Sequence, residues 1–438
     1  MIRFLYNLFF PIGLLLFLPG YLLKMRRRGN YRRNFGQRFG FYAEDVRARL
    51  QQHPRTWIHA VSVGEVAIAL KLAAKLRELD PTFSCVLTTT TTTAFAVAES
   101  EAGDWIEVMY NPLDFWPVVQ RAYAVIRPDR VVLVEAEVWP NLAAAADARA
   151  IPLALVNARL SPRSERRFQR FRRWVAPTFR CLDLVCVQEE RDIARWEGLG
   201  VRREVIKEVG SIKYDPAAER APSSARIPIQ VLRELGIDPD AQPIVLGGST
   251  HAGEEQILAE IWLELRAEFR ALLLIVAPRH AERTPEIRAK LEELGLRVAL
   301  RSTASDGNPT APDCLILDTT GELRNWYTVA TVVFIGKSLT ARGGQNPVEP
   351  IMAGRPVVFG PHMENFASLA DSLIHHQAAV NVADQLGLAA ALRGILQDPE
   401  RGAQLVENAG QVLAHHRGAT QRTAELVMAV KAGPAAPG

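Results

Sequence analysis

The chain is expected to fold as two parallel-sheet α/β domains in tandem behind an apolar N-terminal helix, and three of its features point there. Its 438 residues exceed what a single hydrophobic core covers. Short, uninterrupted apolar runs recur between amphipathic stretches, the pattern of strands buried on both faces of a parallel sheet. Midway, Asp215 to Asp240 is rich in Ala, Pro, Ser and Arg with little apolar periodicity, which marks an interdomain linker.

From the N-terminus, Phe4 to Leu23 is apolar apart from Asn7 and contains Pro11, Gly13, Pro19 and Gly20. At about 1.5 Å per residue it is long enough to cross a bilayer. Arg3 precedes it, whereas Lys24, Arg26, Arg27, Arg28, Arg32 and Arg33 follow, so the positive-inside rule leaves the rest of the chain in the cytoplasm. A spanning anchor is expected, with a helix lying in one leaflet as the alternative that the prolines favour. Behind it, strands are expected at Thr56–Ser62, Ser84–Thr90, Val131–Glu135, Leu153–Val156 and Leu184–Val187, with a helix over Glu65–Leu79. A second series follows at Ile244–Leu246, Leu272–Ala277, Leu315–Asp318, Val332–Ile335 and Val357–Phe359, with a helix starting at Glu254. The expected division is an anchor at 1–23, a basic juxtamembrane segment at 24–45, a first domain at 46–215, a linker at 216–240, a second domain at 241–431 and a disordered tail at 432–438. Two Rossmann-type sheets in this order form a GT-B-like architecture, with the ligand in an interdomain cleft at the C-terminal ends of the strands.

The net charge of +4 is unevenly spread. Besides the block behind the anchor, which includes Arg38, a second block of Arg163, Arg166, Arg167, Arg170, Arg172 and Arg173 lies inside the first domain. No nucleic-acid module accompanies either, so membrane phosphate is the expected anionic partner. Cys85, Cys181, Cys186 and Cys314 lie in apolar runs without zinc-site spacing and are expected to be reduced core residues. Asp238-Pro-Asp240 is the sole Asp-x-Asp and belongs to a turn, so neither a metal nor another cofactor is expected.

The candidate chemistry lies where strands end. Gly343 to Pro361 combines a glycine turn, an Asn-Pro-x-Glu helix start and a returning strand. Gly343 and Gly344 would let backbone N–H groups approach a phosphate, Pro347 suits a first helical turn, and Glu349 could accept from a ribose. Gly247-Gly248-Ser249-Thr250, Ala277-Pro278-Arg279-His280 and Thr319-Thr320-Gly321-Glu322 close other strands of the same sheet, and together the four loops suit a nucleotide. In the first domain, His59-Ala-Val-Ser62-Val-Gly64-Glu65 offers one carboxylate at a helix start, either a general base or a plain complement to the helix dipole. Glu135 and Glu137 end a strand, facing the cleft or capping a turn with Pro140 and Asn141. Lys213 could bring an ammonium to the cleft. The run Thr88 to Thr93 is taken as structural. Phe168, Phe171 and Trp174 are spaced to share one face of an Arg-rich helix that could lie on a membrane or grip a phosphorylated lipid, or be an ordinary surface helix.

The motifs SVGE (62–65), EAEVWPN (135–141), NARLS (157–161), GSIKYD (210–215), GGSTHAGEE (247–255), APRHAER (277–283), TTGEL (319–323) and GGQNPVEP (343–350) together resemble the Kdo transferase family. These are membrane-anchored glycosyltransferases that move 3-deoxy-D-manno-octulosonic acid (Kdo) from CMP-Kdo to the lipid A precursor at the bacterial inner membrane. The resemblance runs from the anchor and YRRNFGQRFGFY to about Phe366. It implies an inverting transfer with Glu65 as base and with Glu135 and Lys213 assisting the transition state. It also implies that Pro278, Arg279, Thr320, Gly321, Glu322, Asn346, Pro347, Val348 and Glu349 hold CMP. Three positions depart from the family pattern: Gln345 replaces a usual His, Lys337 a frequent Gly and Ala136 a common Thr. Two rivals stand beside it, another GT-B enzyme using a UDP-sugar and a lipid-linked acceptor, and a non-enzymatic membrane scaffold with a degenerate nucleotide site.

Overall fold

A computed structural model of the chain describes residues 2–28, 34–136, 138–216, 226–304 and 311–431. Two compact units partition it, one formed by Met1–Ala218 with Gly418–Gly438, the other by Glu219–Arg417.

The first unit holds strands β1 (Arg55–His59), β2 (Cys85–Thr89), β3 (Ile106–Tyr110), β4 (Pro128–Val134), β5 (Leu153–Ala158), β6 (Leu184–Val187) and β7 (Ile206–Glu208). They form one parallel sheet in the order β3-β2-β1-β4-β5-β6-β7. Side chains alternate between its two faces, and both faces are covered. Trp57, Val131 and Leu133 enter one apolar cluster, while Ile58, Val132 and Val134 enter another, so Val131–Val134 of β4 is a continuous apolar run.

The second unit holds β8 (Ile244–Thr250), β9 (Leu273–Pro278), β10 (Val298–Leu300), β11 (Cys314–Ile316), β12 (Val332–Ile335), β13 (Val357–Phe359) and β14 (Val380–Asn381). Their order, β10-β11-β9-β8-β12-β13-β14, is again parallel. Chain order reverses at β8, between β9 and β12, which is where ligands bind in open sheets.

Several expectations are corrected. Strands β3, β7, β10 and β14 have no counterpart in the sequence-based assignment; β7, β10 and β14 are two to three residues long, and the β3 sequence Ile-Glu-Val-Met-Tyr carries a charge. The expected linker contains a helix, Arg226–Glu234, that buries Val231 and Leu232, so 226–240 belongs to the second unit. The final helix, Ala419–Ala429, falls within the expected second domain (241–431) but packs in the first unit. Ala424 and Val427 enter its core, and the buried Asp215 carboxylate accepts from the Gly418 and Thr420 amides at 2.9 and 2.8 Å.

A helix does occupy Ile2–Arg28, but among the described residues no helix is long and apolar enough to cross a membrane. Asn7 bonds Asn141 in both directions at 2.8 and 2.9 Å and accepts from the Trp116 amide at 2.9 Å. Phe10 stacks on Phe115, and Arg3 lies over the Trp116 ring. The opposite side leaves Phe4, Leu8, Phe9, Ile12, Leu15 and Leu16 exposed. Of the basic block behind it, Arg32 and Arg33 lie outside the described residues. Arg38 is no surface charge: it is buried, donates to the Thr90 carbonyl at 2.8 Å and stacks over Tyr110.

Candidate functional site

In the first unit the candidate groups gather at the C-terminal edge of the sheet. After β1, Ser62 caps the helix Val63–Leu79 and Glu65 is its third residue. The two form a variant of the capping box, in which the carboxylate takes the serine hydroxyl instead of the serine amide: the Glu65 amide donates to Ser62 Oγ at 3.3 Å, and Ser62 Oγ donates to Glu65 Oε1 at 2.8 Å. The Val61 amide holds Glu65 Oε2 at 2.9 Å. The carboxylate is thus oriented at both oxygens, and the residue as a whole is 9% exposed at the sheet edge. An ionised carboxylate has about four acceptor positions, so this holding is compatible with taking a proton as well as with capping.

Glu135 follows β4 in the left-handed region, at φ 63°, and Asn157 near the end of β5 is at φ 51°. Two non-glycine residues in that region on adjacent strands mark local strain at this edge. Asn157 ties two motifs together, since its side-chain oxygen accepts from Ser211 Oγ at 3.1 Å and from the Ile212 amide at 3.0 Å. That bond sets the turn Ile212–Tyr214, which carries Lys213 and packs on the Glu65 helix. Burial pushes the Lys213 ammonium below its ordinary range; Glu135 opposes the shift and Arg159 adds to it. Glu135 and Arg159 thus act on the charge of Lys213, whose turn packs on the Glu65 helix. Asn157 was not singled out as a positioning residue, although NARLS and GSIKYD, each ending a strand, held the signal. Glu137 lies outside the described residues.

Neighbouring polar residues are structural. Buried His59 meets the Thr88 carbonyl and hydroxyl, both at 3.1 Å, and Thr91 caps the next helix through the Ala94 amide. Asn141, expected as a turn residue, docks the N-terminal helix instead. The arginine-rich helix breaks at Phe171 into Pro162–Arg170 and Arg172–Phe179. Its aromatics do not share a face: Phe168 packs edge-on against Phe179 in the core, while Phe171 and Trp174 are exposed among the arginines.

In the second unit, Ser249 and Pro278 lie in the last residues of β8 and β9, and Arg279, Thr320, Gly321, Glu322, Asn346, Pro347, Val348 and Glu349 lie in loops or helix starts beyond strand C-terminal ends. Ser249 is at φ 53° in the last residues of β8. The Arg279 amide bonds the Thr250 carbonyl at 3.0 Å, which joins the β8 and β9 loops and leaves the guanidinium exposed. Thr320 and Gly321 are exposed as well. Glu322 pairs with Arg301 at 3.0 Å and Glu349 with Arg324 at 3.2 Å, so both carboxylates are already oriented by guanidinium groups. Asn346 accepts from the Val348 amide at 3.0 Å and starts the short helix Val348–Met352 directly after Pro347.

One expectation fails here. The paired glycines do not present unpaired N–H groups to a phosphate: the Gly343 amide donates to Glu364 at 2.7 Å and the Gly344 amide to the Lys337 carbonyl at 2.9 Å. Their left-handed φ values, 127° and 67°, serve a tight fold-back, and a Cβ on Gly344 would collide with Met363. The loop before them is held by Glu254, expected from the sequence only as a helix start. Fully buried, it accepts from the amides of His251 (2.8 Å), Lys337 (2.7 Å), Ser338 and Leu339 (both 3.1 Å).

The family model described as 3-deoxy-D-manno-octulosonic-acid transferase (kdotransferase) matches residues 33–216. The chain is 34% identical to a 3-deoxy-D-manno-octulosonic acid transferase from Bordetella pertussis over 85% of this chain and 86% of that one. It is 31% identical to one from Haemophilus influenzae over 91% of each. Among solved structures, Anabaena Alr3699/HepE in complex with UDP is similar in fold at a TM-score of 0.54, with 14% identity, over 86% of this chain and all of that one (100%). The matched motifs thus sit on the edges of two seven-stranded parallel sheets, and the chain belongs to the Kdo transferase family of glycosyltransferases.

Proposed function

We propose that this enzyme transfers Kdo from CMP-Kdo, with inversion, to the lipid A precursor at the bacterial inner membrane, a step in building the lipopolysaccharide inner core. The observation that carries the chemistry is the single carboxylate of Glu65, held at both oxygens, in a helix start packed beside the Lys213 turn. As general base, Glu65 takes the proton of the acceptor hydroxyl while that oxygen attacks the anomeric carbon and CMP leaves. Lys213, with Arg159 beside it, offsets negative charge that develops in the transition state. In the second unit, Arg279 and the loops closing β8, β9 and β11 hold the nucleotide. The leaving group is a phosphate monoester, whose charge side-chain cations can offset, so no metal is required. The exposed apolar side of the N-terminal helix, and Phe171 and Trp174 among exposed arginines, suit a lipid surface with anionic headgroups.

Mass spectrometry of the product from CMP-Kdo and a tetraacylated lipid A precursor tests the reaction. The Glu65→Gln protein tests the base. Glutamine preserves a capping box, so the variant should fold and bind CMP while turnover falls about 10²–10⁴-fold. Near-normal turnover would remove Glu65 from the mechanism, and no Kdo adduct with the wild-type protein would reject the reaction.

A further inference from the structure

We propose that Lys337, His251 and Gln345 form a subsite for an anionic group of the sugar-nucleotide donor, either its phosphate or the carboxylate of its sugar. This rests on the CMP-Kdo reading of the second unit and goes beyond it, because these residues stand outside the motif positions to which the family resemblance gives a nucleotide role. Two of the chain's departures from the family pattern, Lys337 and Gln345, meet here.

Lys337 directly follows Gly336 beyond the C-terminal end of β12, beside the point where chain order reverses. Its backbone is left-handed, at φ 57°, a conformation that a lysine keeps only when its surroundings hold it. The holding group is Glu254, whose carboxylate takes the Lys337, Ser338 and Leu339 amides. The lysine stem then runs along Gly343, where an added Cβ would lie 3.3 Å from Cε and 3.5 Å from Nζ. Across the loop, Gln345 Nε2 lies 3.3 Å from His251 Nε2 and orients the imidazole. Burial, then the positive charge of Lys337, hold His251 below its ordinary pKa and favour the neutral imidazole.

The acids nearby are engaged elsewhere. Glu254 is taken by amides, Glu255 by Arg283 at 2.9 Å, Glu282 by His280 at 3.5 Å, and Glu364 by the Gly343 amide and His362. Among the described residues no carboxylate pairs with the Lys337 ammonium. A half-buried cation fixed by its backbone at a sheet switch point, with a histidine and an amide beside it, is complementary to an anion.

Calorimetric titration of the full chain with cytidine and with CMP, together with donor kinetics, tests the subsite. Lys337→Gly tolerates the left-handed backbone and should fold. If the subsite takes the phosphate, CMP affinity falls about tenfold or more while cytidine affinity is unchanged. If it takes the sugar carboxylate, CMP affinity holds and donor KM rises about tenfold or more at constant kcat. Lys337→Arg should restore most of either loss. Wild-type CMP affinity together with wild-type donor KM in Lys337→Gly would overturn the subsite. A wild-type protein that binds UMP in preference to CMP would instead overturn the donor reading, and the same substitution read with UMP would still test the anion subsite.

Discussion

His59 illustrates how burial decides the role of a residue that sequence makes ambiguous. It sits at the end of β1, three residues before Ser62, yet it is fully buried against Thr88, and burial pushes its imidazole down to about 4. A histidine kept neutral inside a folded protein contributes stability that is complete above its unfolded pKa of about 6.5 and is lost as pH falls toward the folded value. The first unit should therefore weaken between about pH 6.5 and 4, by an amount on the order of 3 kcal/mol for this group. Urea unfolding of wild type and His59→Leu across that range measures it: the variant's stability should fall less with acid, and parallel slopes would show that His59 does not contribute. Glu65 is the opposite case. It keeps an exposed fraction at the sheet edge, and the capping box that holds it is a local pattern, Ser-x-x-Glu, legible in the sequence.

At the scale of elements, the N-terminal helix is attached through a polar latch rather than by apolar packing alone. Asn7 completes hydrogen bonds with Asn141 and the Trp116 amide, while Asp114 accepts from the Asn141 and Leu142 amides at 3.1 and 2.9 Å and so starts the next helix. Asn141 lies six positions after Glu135 on the same connection, so the latch reaches the segment that carries a candidate site residue. Replacing Asn7 with Leu should cost about 1–3 kcal/mol, because it leaves the Trp116 amide and the Asn141 side-chain oxygen without the partners that Asn7 supplies, although the Asn141 amide still donates to the Asp114 carbonyl at 2.7 Å. A double-mutant cycle with Asn141→Leu, measured by denaturation in detergent, should show clear coupling between the two sites. Independent, additive effects would mean that the helix does not depend on this contact.

For the molecule as a whole, the path of the chain matters more than its length. The last helix returns to the first unit, where Arg422 donates to the Val209 carbonyl at 2.7 Å and Asp215 caps the helix start. Ending the chain at Arg417 would leave buried Asp215 without those amides and uncover apolar surface around Ile68 and Leu72. Differential scanning calorimetry of that truncated protein should show the transition of the first unit shifted down, with the transition of the second unit nearly unchanged. An unshifted first transition would show that the helix adds nothing to that unit.

The short, uninterrupted apolar runs determined the central strands of both sheets, and the motifs at their ends determined which loops carry Glu65, Lys213, Arg279 and Glu349. Both are local signals, because burial on two faces makes a strand continuously apolar and a sharp strand-to-helix turn needs particular residue types. Sequence did not determine the edge strands β10 and β14, which are short, or the destination of the last helix, because an amphipathic helix does not encode which sheet it covers. Only the tertiary structure decided that Asp215 caps a helix some 200 residues away, that Asn157 sets the Lys213 turn, and that Glu254 holds the loop after β12. It also decided that the amides of Gly343 and Gly344 are internally bonded. Each of these is a side-chain-to-backbone or backbone hydrogen bond between segments distant in sequence or folded back on themselves, and the need to satisfy buried polar groups fixes such partners only once packing has brought them together.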